Sequence, residues 1–218
     1  MLAAALVSLP AHRAPAAHER SVDEVWSAYQ TRWSATETYK ATFHQKIEID
    51  GIGGNVESAG NFYFQKPDRM RWDYLQGQPQ NVVGDGKFVW VYQPDLEQVY
   101  KVDYEQAFGT GGLVTLLANR AGLTARYRLG LVERNDGLVH VTLSPKADVG
   151  ESLELAMAPD TLDLRSVVVK DPAGSVTVVE FAEVQRNVKL DDALFHFTPP
   201  AGVDVITSPP PAPQAPAN

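Results

Sequence analysis

The stretch from Gly60 to Val99, GNFYFQKPDRMRWDYLQGQPQNVVGDGKFVWVYQPDLEQV, decides the fold. Aromatic side chains recur in it at every second position: Phe62 and Phe64, then Trp72 and Tyr74, then Phe88, Trp90 and Tyr92. A period of two puts such residues on one face of an extended chain, so the pattern predicts successive strands with an apolar side. Pro67-Asp68 breaks the run, and Asp85-Gly86 is a hairpin signal between two strands. No adjacent cluster of His, Cys or carboxylates accompanies the aromatics. The surface is therefore suited to holding an apolar ligand, not to transforming it.

The pattern extends both ways from this block. Upstream, Ser21-Val22-Asp23-Glu24 has the form of a capping box. Val22, Val25, Trp26, Tyr29 and Trp33 follow at helical spacing, which predicts an amphipathic helix from Val22 to near Thr36. Tyr39, Ala41, Phe43, Ile47 and Ile49 then alternate with polar residues as a half-buried strand, and glycines 51, 53 and 54 supply a turn. Further strands are predicted at Val56–Gln65, Arg69–Leu75, Gln80–Val83, Lys87–Gln93 and Gln98–Val102. Downstream, GTGGLVTLLANRAG (109–122) predicts a second short helix from Gly112 to Arg120. Alternation then resumes at Ala125–Glu133, Leu138–Ser144, Ser152–Ala158, Asp163–Lys170 and Ser175–Val184, with a last short segment at Leu194–Thr198. The class is mainly β: about eleven strands with short connections and none of the strand–helix–strand alternation of a parallel sheet. An antiparallel meander of that size must curl or close, and two helices can plug its mouth but not cover its outside.

Composition narrows the function. The 218 residues suit one domain, and the net charge of -8, with acidic and basic residues intermixed, argues against nucleic acid and against charge-driven binding to an anionic membrane. The absence of cysteine excludes disulfides, thiolate metal sites and a cysteine nucleophile. His44, His140 and His196 are scattered on strands without metal-ligand spacing and are expected to face solvent. Asp191-Asp192 and the pair Asp95 and Glu97 sit in turn-like contexts as solvated charges, and no Gly-x-Ser-x-Gly elbow or phosphate loop exists. No catalytic group, cofactor or metal is therefore assigned. Residues 1–17 carry a short apolar run and an Ala-x-Ala pattern at Ala14 and Ala16, expected to be the back half of a secretory signal peptide. Residues 18–207 are expected to form the folded domain, and the Pro-rich 208–218 a disordered tail.

The motifs now have a recognisable form: Gly60-x-Phe-x-Phe-x-Lys-Pro-x-x-x-Arg-Trp-x-Tyr, then Asp85-Gly-x-x-x-Trp-x-Tyr-x-Pro-x-x-x-Gln-Val. Together with Phe43-His44-Gln45, Leu116-Leu117-Ala118-Asn119 and the closing run from Phe195 to Ile206, they resemble the periplasmic outer-membrane lipoprotein carrier family, LolA, from Val22 to Ile206. The resemblance implies an unclosed antiparallel barrel with a helical lid over a hydrophobic cavity. It implies a monomeric periplasmic carrier that takes acylated lipoproteins from an inner-membrane ABC transporter and passes them to an outer-membrane lipoprotein receptor. A free lipid or a glycolipid remains an alternative cargo, and a sensor of lipoproteins an alternative role. Exposing three acyl chains of roughly fifteen methylenes each would cost on the order of 36 kcal/mol, so passage through water needs a carrier. Phe62, Phe64, Met70, Trp72, Trp90, Leu113 and Leu117 are the expected wall of the acyl site, with a one-residue slip in strand phase as its main alternative. By the same resemblance Lys66, just before Pro67, is the lid latch, donating to carbonyls near Leu117 and Ala118 at the end of the second helix.

Overall fold

Alternation between buried and more exposed positions shapes the sheet, as the period-two pattern requires. The computed structural model describes residues 20–49, 54–108, 123–147 and 150–207. Helix α1 (Val22–Ser34) opens on the expected capping box: the Glu24 N–H donates to Ser21 Oγ at 3.3 Å, and the Ser21 N–H donates to Glu24 Oε2 at 2.8 Å. Six strands follow: β1 (Thr38–Glu48), β2 (Asn55–Gln65), β3 (Arg69–Gln76), β4 (Gln80–Asp85), β5 (Phe88–Gln93) and β6 (Gln98–Asp103). Two short helices, α2 (Tyr104–Phe108) and α3 (Leu123–Arg126), flank residues outside the described set. The chain then forms β7 (Tyr127–Val132), β8 (Val139–Pro145), β9 (Ser152–Met157), β10 (Leu164–Lys170), β11 (Val176–Arg186) and β12 (Asp204–Ile206).

Among the described residues all twelve strands belong to one sheet in the order β12-β6-β5-β4-β3-β2-β1-β11-β10-β9-β8-β7. Each neighbouring pair is antiparallel except β12 with β6, which is parallel. The sheet thus ends on β7 at one side and β12 at the other, and it is not closed. The long pairing of β1 with β11, Phe43 opposite Phe181, joins the two halves of the meander. One continuous apolar cluster fills the inner side, from Phe43, Phe62 and Trp72 through Phe181 to Leu143, Leu155 and Met157.

The short segment expected at Leu194–Thr198 begins in a 3-10 turn, Asp192–Phe195, capped by the Asp191 carboxylate, which accepts from the Ala193 N–H at 3.0 Å. One expectation is corrected here. The twelfth strand comes later, at Asp204–Ile206, and its parallel pairing departs from a purely antiparallel sheet. The cause is the return path of the chain. After β11 it recrosses the outer face of β3 and β4, held by Arg69 on Asp192 at 3.0 Å and by Arg71 donating to the Leu194 carbonyl at 3.2 Å. That path delivers residues 204–206 alongside β6 in the same direction.

Candidate ligand-binding site

Cross-strand pairing builds the wall. Phe62 on β2 lies opposite Trp72 on β3, and Phe64 lies opposite Met70. Directly opposed residues share a face, so all four project to the inner side, where they are 0–6 % exposed. Phe62 and Trp72 have ring centroids 4.3 Å apart; Phe43 meets Trp72 edge-on at 4.8 Å, and Phe181 lies 5.8 Å from Phe62. Tyr74 extends the wall, its hydroxyl donating to Gln45 Oε1 at 3.0 Å and its pKa pushed up to about 12 by burial. Gly60 sits where β2 and β3 shift register, and a Cβ there would land on the Asp73 carbonyl. Only glycine allows the strands this close approach.

Helix α1 covers the wall. Its apolar stripe buries Val25, Trp26, Tyr29 and Trp33. Trp33 reaches Phe64 at 5.7 Å and Tyr39 at 5.6 Å between centroids. The C-terminal end of the helix is tied down by donors, which suits its unpaired carbonyls and negative dipole end. Lys66 Nζ donates to the Trp33 and Ser34 carbonyls at 3.0 and 2.6 Å, and Asn187 Nδ2 donates to the Ala35 carbonyl at 3.1 Å. Arg186 bridges the helix end to the sheet, donating from Nη1 to Thr36 Oγ1 at 2.9 Å and from Nε to Asp163 Oδ1 at 2.6 Å. Burial pushes the Asp163 carboxyl up, but the Thr161 hydroxyl and the Arg186 guanidinium together outweigh it and leave the pKa below the ordinary value.

Phe62, Phe64, Met70 and Trp72 are thus brought together, whereas Trp90 is not among them. On β5 it is Val89 and Val91 that face inward; Trp90 lies on the outer face, against Phe197 at 5.7 Å, its indole N–H donating to Asp85 Oδ2 at 2.9 Å. Its cross-strand partner Val83 and neighbouring Phe195 are both 0 % exposed, so the outer face carries a second apolar cluster under the returning chain. Both faces of β5 are apolar, and alternation alone does not say which is concave. Leu113, Leu117 and Ala118 lie outside the described residues, as do the glycine turn at 51–53, the Ala-x-Ala pattern and the Pro-rich tail. The tether found for Lys66 is to the end of the first helix, where the free carbonyls of α1 lie beside the β2–β3 turn. His140 does not face solvent: it is 5 % exposed, between Asp136 Oδ2 at 2.8 Å and Glu154 Oε1 at 3.1 Å. Sequence reasoning gave α1 no part in the wall, and it missed Phe181, which only the β1–β11 pairing brings in. The helical spacing of Trp26, Tyr29 and Trp33 was the available signal for the first.

Among the described residues no cluster of His, Cys, Asp or Glu could hold a metal, and no helix is long and apolar enough to cross a membrane. A curled, unclosed sheet with a tethered helix over an aromatic inner face defines a class: proteins that shelter an apolar ligand. The particular family follows from comparison. The family profile of the outer membrane lipoprotein carrier protein LolA matches residues 34–198, and the chain belongs to that family. An outer-membrane lipoprotein carrier protein of Dechloromonas aromatica is 31% identical over 190 residues, spanning 87% of this chain and 89% of its own. That of Methylococcus capsulatus is 34% identical over 169 residues, spanning 77% and 80%. A crystal structure of an uncharacterized conserved protein from Thermus thermophilus superimposes with a TM-score of 0.53 at 15% identity, over 85% of this chain and 98% of that one, and shares the fold.

Proposed function

We propose that this chain is a periplasmic carrier that binds the acyl chains of lipoproteins and delivers them to the outer membrane. The observation that carries the reading is the aromatic inner face of β2 and β3, covered by a helix whose end is held by the Lys66 side chain. Lids that close over a ligand are held by a few contacts that can be made and broken, and the Lys66 tether at the end of α1 is of that kind. Membership of the lipoprotein carrier family supports the same cargo. An inner-membrane ABC transporter as donor and a lipid-anchored receptor as acceptor complete the proposal, and the chain itself performs no chemistry. Lifting of α1 exposes the wall of Phe62, Phe64, Met70 and Trp72, and an acyl chain enters between that wall and the underside of the helix.

The test is release from membranes. Inner-membrane vesicles or spheroplasts bearing a labelled acylated lipoprotein are incubated with ATP and the purified protein. A soluble one-to-one complex is expected, absent when the acyl-bearing Cys of the cargo is replaced. Phospholipid or glycolipid co-eluting without lipoprotein would overturn the cargo assignment.

A further inference from the structure

The underside of α1 is chemically odd for a cover over an apolar wall. Trp26, Tyr29 and Trp33 are stacked in sequence, with centroids 5.4 and 6.4 Å apart, and Tyr39 lies tilted against Trp33 at 5.6 Å. All four are 1–4 % exposed. Their polar atoms, Trp26 Nε1, Tyr29 OH, Trp33 Nε1 and Tyr39 OH, have no hydrogen-bond partner among the described residues, and Arg186 Nη2 beside them has none either. Arg186 lies 5.7 Å over the Trp33 ring and 5.4 Å over that of Tyr39. Folded proteins leave few such groups unpaired, because each forfeits its bonds to water. Phe at these positions would pack as well without that loss.

The donor set specifies its missing partner. Indole and guanidinium N–H groups only donate, and the tyrosine hydroxyls can donate, so the complement is an acceptor. Arg186 is already paired with Asp163, and the surroundings are otherwise aromatic, which disfavours bringing in a second anion. A neutral oxygen fits. Tyr39 also connects the donors to the acyl wall, with its ring 6.0 Å from Phe62. Burial raises the pKa of both tyrosines, keeping them protonated donors, and each lies close enough to Arg186 to feel its charge.

We propose that Tyr29, Tyr39, Trp26, Trp33 and Arg186 Nη2 form a carbonyl-recognition site that hydrogen-bonds the ester or amide carbonyl oxygens at the head of the bound acyl chains. This rests on the acyl-carrier reading and deepens it. The apolar wall holds any long chain, whereas the donors separate acyl chains from alkyl chains of the same length. A site built to hydrogen-bond its ligand rejects the analogue that lacks the group.

The experiment compares two synthetic lipopeptides of equal chain length, one with two ester-linked chains and one with two ether-linked chains. Binding is measured on the wild type and on the Tyr29→Phe, Tyr39→Phe and double variants. The wild type should bind the ester about tenfold more tightly, near the upper value of one neutral hydrogen bond. The double variant should bring the ratio near one. Thermal stability of the empty double variant should be unchanged or raised, because an unpaired hydroxyl has been removed. Equal affinity of the wild type for ester and ether would overturn the carbonyl site and leave the carrier reading standing. A lowered melting temperature in the empty Phe variants would show the hydroxyls already bonded within the protein, and overturn it too. Failure of both lipopeptides to bind would overturn the carrier reading and this inference with it.

Discussion

Replacing Lys66 by Leu should slow cargo release. The ammonium makes two hydrogen bonds to the last carbonyls of α1, at 3.0 and 2.6 Å. A bond to a charged group contributes about 1.5–3 kcal/mol when well buried, and the side chain here is only partly buried. Water recovers part of the loss, so roughly 1–3 kcal/mol is expected for the pair, including the favourable position at the helix C-terminus. In population terms that weakens docking of α1 by about 5- to 150-fold. Docked α1 and an acyl chain compete for one wall, so weakening the first tightens the second by up to the same factor. Most of the change should fall in the dissociation rate. The assay is transfer of a fluorescent lipopeptide from the carrier to acceptor vesicles, with melting followed by far-UV circular dichroism. The melting temperature should fall by about 2–12 °C, at 2–4 °C per kcal/mol for a chain of this size. Lys66→Arg can donate to the same carbonyls and should restore release. A Leu variant that transfers cargo at the wild-type rate would sink the tether.

Trp72→Ala should cost about 3–5 kcal/mol and abolish acyl binding, whereas Trp90→Ala should lose stability on the outer face yet bind acyl chains normally; lipopeptide titration of the two separates the faces. Asp163→Asn should destabilise by about 2–3 kcal/mol, less than loss of a fully buried pair, because Arg186 loses its partner while Asp163 keeps 18% exposure. The Asp163 pKa is depressed in the fold, so its stabilisation is full above the unfolded value of about 3.9 and is lost as pH falls through the lower folded value. Acid melting curves of wild type and Asp163→Asn should therefore converge below about pH 4, and a constant gap down to the acid limit would refute the pairing. Gly60→Ala should break the β2–β3 pairing where the new methyl meets the Asp73 carbonyl, and soluble folded protein at wild-type yield would contradict that geometry.

Period two was enough to find the strands, and Ser21 with Glu24 enough to start α1, because both signals are local and each has a single physical cause. Orientation was harder where both faces of a strand are apolar. In FVWVYQ, Val89 and Val91 go inward while Trp90 and Tyr92 meet Phe197, which returns from far along the chain. Residue size suggested the wrong face, since the larger side chains are the outer ones. The β12 strand is three residues long and carries no readable pattern; its place follows from the path of the segment before it. His140 is buried because Asp136, from the β7–β8 turn, and Glu154, from β9, converge on it, and only pairing of β8 with β9 shows the second. Phe62, Phe64, Met70 and Trp72 were legible because the Pro67-Asp68 turn fixes the phase of both flanking strands.

The energetics of exchange explain why the cover is aromatic and helical. Burying Val25, Trp26, Tyr29 and Trp33 is worth about 2–3 kcal/mol per side chain, or roughly 8–12 kcal/mol for the face of α1. One acyl chain of about fourteen methylenes, at 0.8 kcal/mol each, is worth about 11 kcal/mol when buried. The α1 face and a single acyl chain are therefore nearly matched on the same wall. A weaker cover would leave the empty protein with an exposed apolar face and a tendency to aggregate. A stronger one would refuse the cargo. With burial balanced, the direction of transfer is set by smaller polar contributions: the Lys66 tether favours the closed protein, and the unpaired donors of Tyr29 and Tyr39 favour a ligand with carbonyl oxygens. Each is worth roughly 1–3 kcal/mol, enough to shift the balance by about 5- to 150-fold yet small enough to be reversed on meeting a receptor.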